Sequence, residues 1–242
     1  MPLNQNYLEV FFFDKRILTK LSSLYILNKL ENIGVIRMEN KHIYILLSHT
    51  GSVVSSLIRR YSQMEYSHIS LGIDDELKTF YSFGRKNPSN PLIAGFVSES
   101  IKDGVYTRFN DATFALYKIE VSHKQYSRFL YELSHFEKNK QAFRYNFVGL
   151  FSAKAGYSLD RKNAYFCSQF AAKLIEAAGI HDFNKKHGLI SPMDFLELEH
   201  LELINEGVLK DFRAYQWDIL TEQKSYRVFR LSRKIINIIK GV

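Results

Sequence analysis

Cys167 has the residue type and the position of a catalytic thiol. It is the only cysteine among 242 residues, and it stands where a segment with helical spacing begins. The apolar residues of that segment follow at intervals of three and four, and Gly179 is a natural helix end. Unpaired N–H groups and the dipole at a helix start favour a thiolate. The alternative is an inert core thiol, because free cysteines are among the most buried residues.

A thiol nucleophile needs a base, and His68 is the best candidate among eight histidines. Residues 67–73 alternate between apolar and small or polar side chains, which predicts a strand with His68 beside Ser70 and Gly72. These small neighbours leave room for the start of the Cys167 helix. The alternative is a half-exposed strand histidine that bonds to the backbone.

A catalytic histidine also needs a group that orients its ring. If residues 67–73 and 77–83 form a hairpin with a three-residue turn, paired residue numbers sum to 150 and His68 faces Ser82. A slip of one residue would bring Tyr81 or Phe83 opposite His68 instead. The carboxylate candidate is Glu99, which follows a loop predicted over residues 84–95; its alternative is a solvated surface side chain.

Three further side chains are the predicted substrate-binding residues: Arg85, Tyr81 and His49. Arg85 follows the second hairpin strand closely, so we expect it to border the site and to bind an anionic group of the substrate. A solvated surface charge is the alternative for Arg85.

The remaining pattern predicts an α+β fold. Strands are expected at 42–48 and 113–121 beside the hairpin, and helices at 15–31, 53–58 and 126–136. The hairpin makes the sheet antiparallel. The predicted organisation is an N-terminal helical extension (1–40), a catalytic domain (41–200) and a C-terminal extension packed on that domain (201–242).

The C-terminal extension carries an amphipathic pattern over residues 228–239, with cations between the apolar positions. As a helix it can cover the domain's own core, pair with a second copy, or lie on an anionic membrane. Packing on the domain is favoured over a homodimer, and membrane contact comes last. A strand over 227–231 is a further alternative.

Four segments together resemble the permuted papain-like branch of the NlpC/P60 superfamily: 42–51 (HIYILLSHTG), 66–74 (YSHISLGID), 81–86 (YSFGRK) and 165–170 (YFCSQF). The resemblance covers roughly residues 42–200, and the histidine strand precedes the cysteine helix, as the permuted order requires. It implies a papain-like fold with an antiparallel sheet packed against helices. It also implies Cys167 as nucleophile, His68 as general base and a polar residue on the next strand, where Ser82 stands.

We therefore expect a cysteine-dependent amidase or peptidase that acts on a small peptide or acylated amide without a cofactor or metal. Acyl transfer to an amine or on a lipid is the second interpretation. The third is a degenerate papain-like module that binds an anionic surface through the net charge of +8. No nucleic-acid module is recognisable. Without a visible secretory signal or membrane-spanning run, the expected location is the cytoplasm.

Overall fold

Apolar side chains fill residues 43–47 without a break, and all of them are buried, as expected for a strand covered on both faces. This strand, β1 (Lys41–His49), lies inside a six-stranded sheet in the computed structural model, which describes residues 41–50, 65–87, 89–101, 104–109 and 111–212. The other strands of the sheet are β2 (His68–Gly72), β3 (Phe80–Asn87), β4 (Asn90–Glu99), β5 (Thr113–Val121) and β8 (Leu201–Val208).

The strand order is β4-β3-β2-β1-β5-β8, and every neighbouring pair is antiparallel. The chain is therefore α+β with an antiparallel sheet, as predicted. The edge strand β8 comes from residues that the sequence assigns to the C-terminal extension. Two short strands, β6 (Arg144–Tyr145) and β7 (Ala164–Tyr165), form a separate parallel pair.

Four helices connect the described strands: α1 (Val105–Arg108), α2 (His123–Lys138), α3 (Phe147–Lys154) and α4 (Cys167–Ala177). Short 3-10 segments follow at His187–Leu189 and Pro192–Glu197. The predicted helices around 126–136 and after Cys167 are confirmed. A capping box of Ser122 and Gln125 starts α2, and Gly179, with φ of +69°, follows the end of α4.

Alternate residues of β1 enter two separate hydrophobic clusters. Ile43 and Ile45 belong to the larger cluster, which includes core residues of α2 and α4. Tyr44 and Leu46 belong to the smaller one, which includes Tyr106 of α1. Helices α2 and α4 therefore pack on the sheet in the larger cluster, and α1 packs on the sheet in the smaller one.

The prediction of a loop over residues 84–95 is wrong. Strand β3 continues to Asn87 and β4 starts at Asn90, so the connection is a tight turn in which the Asn87 side chain accepts a hydrogen bond from the Ser89 N–H. Pro91, which argued for a loop, lies in β4. An edge strand tolerates proline because it leaves part of its backbone unpaired.

The predicted register of the β2–β3 hairpin is also wrong. Leu71 pairs with Tyr81 and Gly72 with Phe80, so paired numbers sum to 152 and the connection is longer than three residues. The Asp74 carboxylate accepts hydrogen bonds from the backbone N–H groups of Lys78 and Thr79, and this turn delays the start of β3. Continued to the start of β2, this register puts His68 level with Gly84 instead of Ser82.

The predictions for helices at 15–31 and 53–58 and for the C-terminal amphipathic pattern fall outside the described residues.

Candidate active site

The helix start that carries Cys167 is held by a network of buried amides. Phe166, in extended conformation, precedes the helix, and its N–H donates to Oε1 of Gln169 at 3.3 Å. The same oxygen accepts a bond from Asn146, and the Gln169 amide donates to Asp160 at 2.7 Å. Because Gln169 and Asn146 are almost fully buried, these bonds leave the helix start little freedom.

Phe170 fixes the first turn of α4 on the sheet. Its ring lies 5.3 Å from Phe83 of β3, 5.6 Å from Phe96 of β4 and 4.9 Å from Phe136 of α2, measured between centroids. Contacts of this kind hold rings in defined orientations. The aromatic cluster therefore positions Cys167, one turn earlier, relative to the strands that carry the polar site.

Glu99 of β4 reaches the ring of His68. Both carboxylate oxygens lie 3.1 Å from Nε2 of His68, and the two side chains are 11% and 19% exposed. The Ser70 hydroxyl donates to Glu99 at 2.5 Å and lies 3.3 Å from the same ring nitrogen. The structure thus brings together the predicted base and the predicted carboxylate.

The charges of this pair favour an imidazolium and a carboxylate. Burial alone would lower the pKa of His68, but the charge of Glu99 and hydrogen bonds with Cys167 and Glu99 outweigh burial and raise that pKa to about 10. Burial alone would raise the pKa of Glu99, but the charge of His68 and hydrogen bonds from His68, Ser70 and Tyr106 hold it below its usual value. The Cys167 thiol therefore faces a histidine that is protonated at neutral pH.

Gly84 provides the space for the pair. A Cβ atom at this position would lie 2.9 Å from Oε1 of Glu99 and 3.4 Å from Cε1 of His68. Any other residue at this point of β3 would push against the carboxylate of Glu99. Glycine is therefore needed here to leave space for the Glu99–His68 pair, and not to form a turn.

The polar network extends to residues that the sequence did not single out. The buried Tyr106 hydroxyl lies 3.1 Å from the hydroxyl of Ser48, and it also hydrogen-bonds with Ser70 and Glu99. Tyr106 stands 58 positions from Ser48, on a four-residue helix with no recognisable motif. No local pattern predicts this contact, because only the tertiary fold brings α1 to β1.

Tyr145 is a second residue that the sequence did not indicate. Burial, and then the electrostatic interaction with Cys167, raises the pKa of Tyr145 well above the usual value, while the charge of Arg85 acts in the opposite direction. A protonated phenol thus lies near the thiol and Arg85. Tyr145 belongs to β6, directly before Asn146, which caps α3.

Ser82 does not take the position expected for it. Its hydroxyl is fully buried and donates to the backbone oxygen of Ile69 at 2.6 Å. The carboxylate of Glu99, and not this hydroxyl, is bonded to His68. The structure assigns Ser82 a bond between β2 and β3.

Replacing Ser82 by Ala should lower the free energy of unfolding by about 1 kcal/mol, because the Ile69 oxygen loses a buried donor. The rate at which iodoacetamide alkylates Cys167 should stay unchanged. Urea denaturation and intact-mass kinetics measure the two quantities. Slower alkylation of Cys167 with unchanged stability would show instead that Ser82 contributes to the candidate active site.

The predicted substrate-binding residues lie in different surroundings. Arg85 lies near Glu99 and Tyr145, with its guanidinium 5.4 Å from the centre of the Phe109 ring. Tyr81 stacks on Phe96. His49 is buried, with Nδ1 3.1 Å from the hydroxyl of Ser67. Of the three, Arg85 is electrostatically coupled to Glu99.

No protein-family model matches the chain, and no curated protein matches it significantly. Within the described residues, no group of three His, Cys, Asp or Glu side chains is arranged to hold a metal ion. None of the helices in the described ranges has the length and hydropathy needed to cross a membrane.

Proposed function

We propose that this protein is a cysteine-dependent hydrolase with a permuted papain-like arrangement, which cleaves an amide bond through a thioester on Cys167. The observation that carries the proposal is the joint contact of His68 with a carboxylate and with the only thiol of the chain. A thiol beside a histidine that is itself oriented by a third group is the usual constellation of nucleophilic catalysis.

In this proposal Glu99 holds the ring of His68 through Nε2, so Nδ1 is the nitrogen that exchanges a proton with Cys167. The thiolate adds to the substrate carbonyl, and the oxyanion forms near the backbone N–H of Cys167 at the helix start. The C–N bond then breaks, and the leaving amine takes the proton from His68.

Water completes the cycle. His68, now neutral, accepts a proton from the water that attacks the thioester. The C–S bond then breaks, the acid product leaves, and the Cys167 thiolate is restored beside protonated His68. If an amine or a lipid hydroxyl takes the place of water, the same residues catalyse acyl transfer. Product analysis separates these two outcomes.

The proposal is tested by alkylating the native protein with iodoacetamide between pH 5 and pH 9. Because Cys167 is the only cysteine, intact mass reports this site alone, and Cys167→Ala is the blank. At pH 6 an activated thiol should react at least about tenfold faster than the same cysteine in urea, since an ordinary thiol is mostly protonated there.

Reaction only after unfolding would overturn the proposal and favour the degenerate binding module. The comparison with the unfolded chain is informative because Cys167 is only 4% exposed in the folded chain. If the thiol is reactive, a panel of acyl-amide substrates with mass detection of the acyl-enzyme tests the chemistry itself.

A further inference from the structure

A cavity of about 320 Å³ adjoins the polar network of the candidate site. Glu99 and Tyr106 form part of its wall, so it shares two residues with the network around His68. In the described part of the chain, the other polar side chains of the wall are cations and hydroxyls: Lys78, Arg85, Lys86, Thr79, Ser98 and Ser100. The cavity therefore offers positive charge and hydrogen-bond donors close to the reacting groups.

Among the described residues of the cavity wall, three cations, Lys78, Arg85 and Lys86, stand beside one carboxylate, Glu99. The carboxylate of Glu99 is matched by His68, and exposed Lys78 pairs with Glu76. Among the described residues, no carboxylate forms an ion pair with Lys86. Arg108 adds a further positive charge near Arg85.

We infer that this cavity binds a carboxylate or phosphate group of the substrate, with Arg85 and Lys86 as the specificity-determining cations. Arginine matches either group with two parallel N–H donors, and lysine adds a point charge. This inference rests on the proposed function, and it narrows the substrate to an acyl compound that carries an anionic group near the scissile bond.

Anion binding is tested first without the thiol. Full-length Cys167→Ala protein is titrated with inorganic phosphate and with malonate by calorimetry at low salt. Arg85→Gln and Lys86→Gln should each weaken binding about fivefold to tenfold, because a partly screened charge at close range is lost. Arg128→Gln removes an exposed arginine of α2 that is not in the cavity wall, and should change nothing.

Tighter binding of phosphate would identify a phosphate as the preferred group, and tighter binding of malonate would identify a carboxylate. No binding of either probe, or equal weakening in Arg128→Gln, would overturn the inference. If the Arg85→Gln protein does not fold, the Lys86→Gln variant still tests the inference. Lys86 is exposed, so its replacement should not disturb the core.

The link to the reacting thiol is tested by comparing iodoacetate with iodoacetamide as alkylating agents of Cys167. The cavity should raise the ratio of the iodoacetate rate to the iodoacetamide rate above that of the urea-unfolded chain, and Arg85→Gln should lower this ratio about fivefold. An unreactive thiol with intact anion binding contradicts the proposed function alone. Fast iodoacetamide reaction with no anion preference contradicts the cavity alone.

Discussion

Replacing Glu99 by Gln is expected to slow the alkylation of Cys167 at pH 6 by about one to two orders of magnitude. The carboxylate is the main group that opposes the effect of burial on His68, and a nearby opposite charge shifts a pKa by about 1–3 units. Without that charge, the buried ring loses its proton more readily, and the thiolate loses the cation that faces it. Gln keeps the size and a hydrogen-bonding oxygen, so folding should be largely retained.

The pH dependence of the alkylation rate shows the direction in which Glu99 shifts the pKa of His68. In the parent protein the pKa of His68 is raised to about 10, so the imidazolium persists throughout the neutral range. In the variant the pKa of His68 falls, and alkylation should become fast only where an ordinary thiol ionises, near pH ~8.5. Glu120→Gln, an exposed glutamate of β5, is the matched control. An unchanged rate and profile in Glu99→Gln would show that Glu99 does not tune the histidine.

Gly84→Ala should reduce Cys167 reactivity by about tenfold or more, because displacement of a catalytic group by as little as an ångström has effects of this size. The added methyl group would lie 2.9 Å from the Glu99 carboxylate, which must then move from His68. Stability should not fall in proportion, since alanine has less conformational entropy to lose than glycine. Iodoacetamide kinetics and urea denaturation of the same sample measure both effects.

Gly95→Ala is the paired control, because Gly95 lies opposite Gly84 in the β3–β4 register. Its new methyl group would meet mainly the flexible end of the Lys86 side chain, at 2.8 Å from Cε, with the Phe143 oxygen at 3.1 Å. We expect the reaction with neutral iodoacetamide to be nearly unaffected. Equal loss of reactivity in the two variants would mean that general strain in the hairpin, and not the carboxylate, causes the effect.

Elements with a strong local pattern were predicted correctly. The spacing after Cys167 and the position of Gly179 predicted α4, and the apolar run at 43–47 predicted β1. These features are local, because helix periodicity and strand burial are written in consecutive residues. The antiparallel sheet followed from the same local reasoning about β2 and β3.

The hairpin register and the loop at 84–95 were mispredicted for reasons outside the local pattern. The Asp74 carboxylate accepts hydrogen bonds from two backbone N–H groups and so lengthens the turn, and one turn residue more or less changes every pairing in the hairpin. Pro91 argues against a strand in the local pattern, but a sheet edge, where β4 lies, tolerates proline. Edge position is a property of the whole sheet.

The sequence by itself determined which residue types are available for chemistry: one thiol at a helix start and one histidine in a strand of small neighbours. Only the tertiary structure decided which group orients that histidine, because Glu99, Ser70 and Tyr106 come from separate elements. Local sequence favours a solvated surface position for Glu99, because glutamates are mostly exposed, and it does not reveal the imidazole that lies 31 positions away. Burial makes that choice, because it removes water from the Glu99–His68 pair, and a buried charge is stabilised by a charged hydrogen-bond partner.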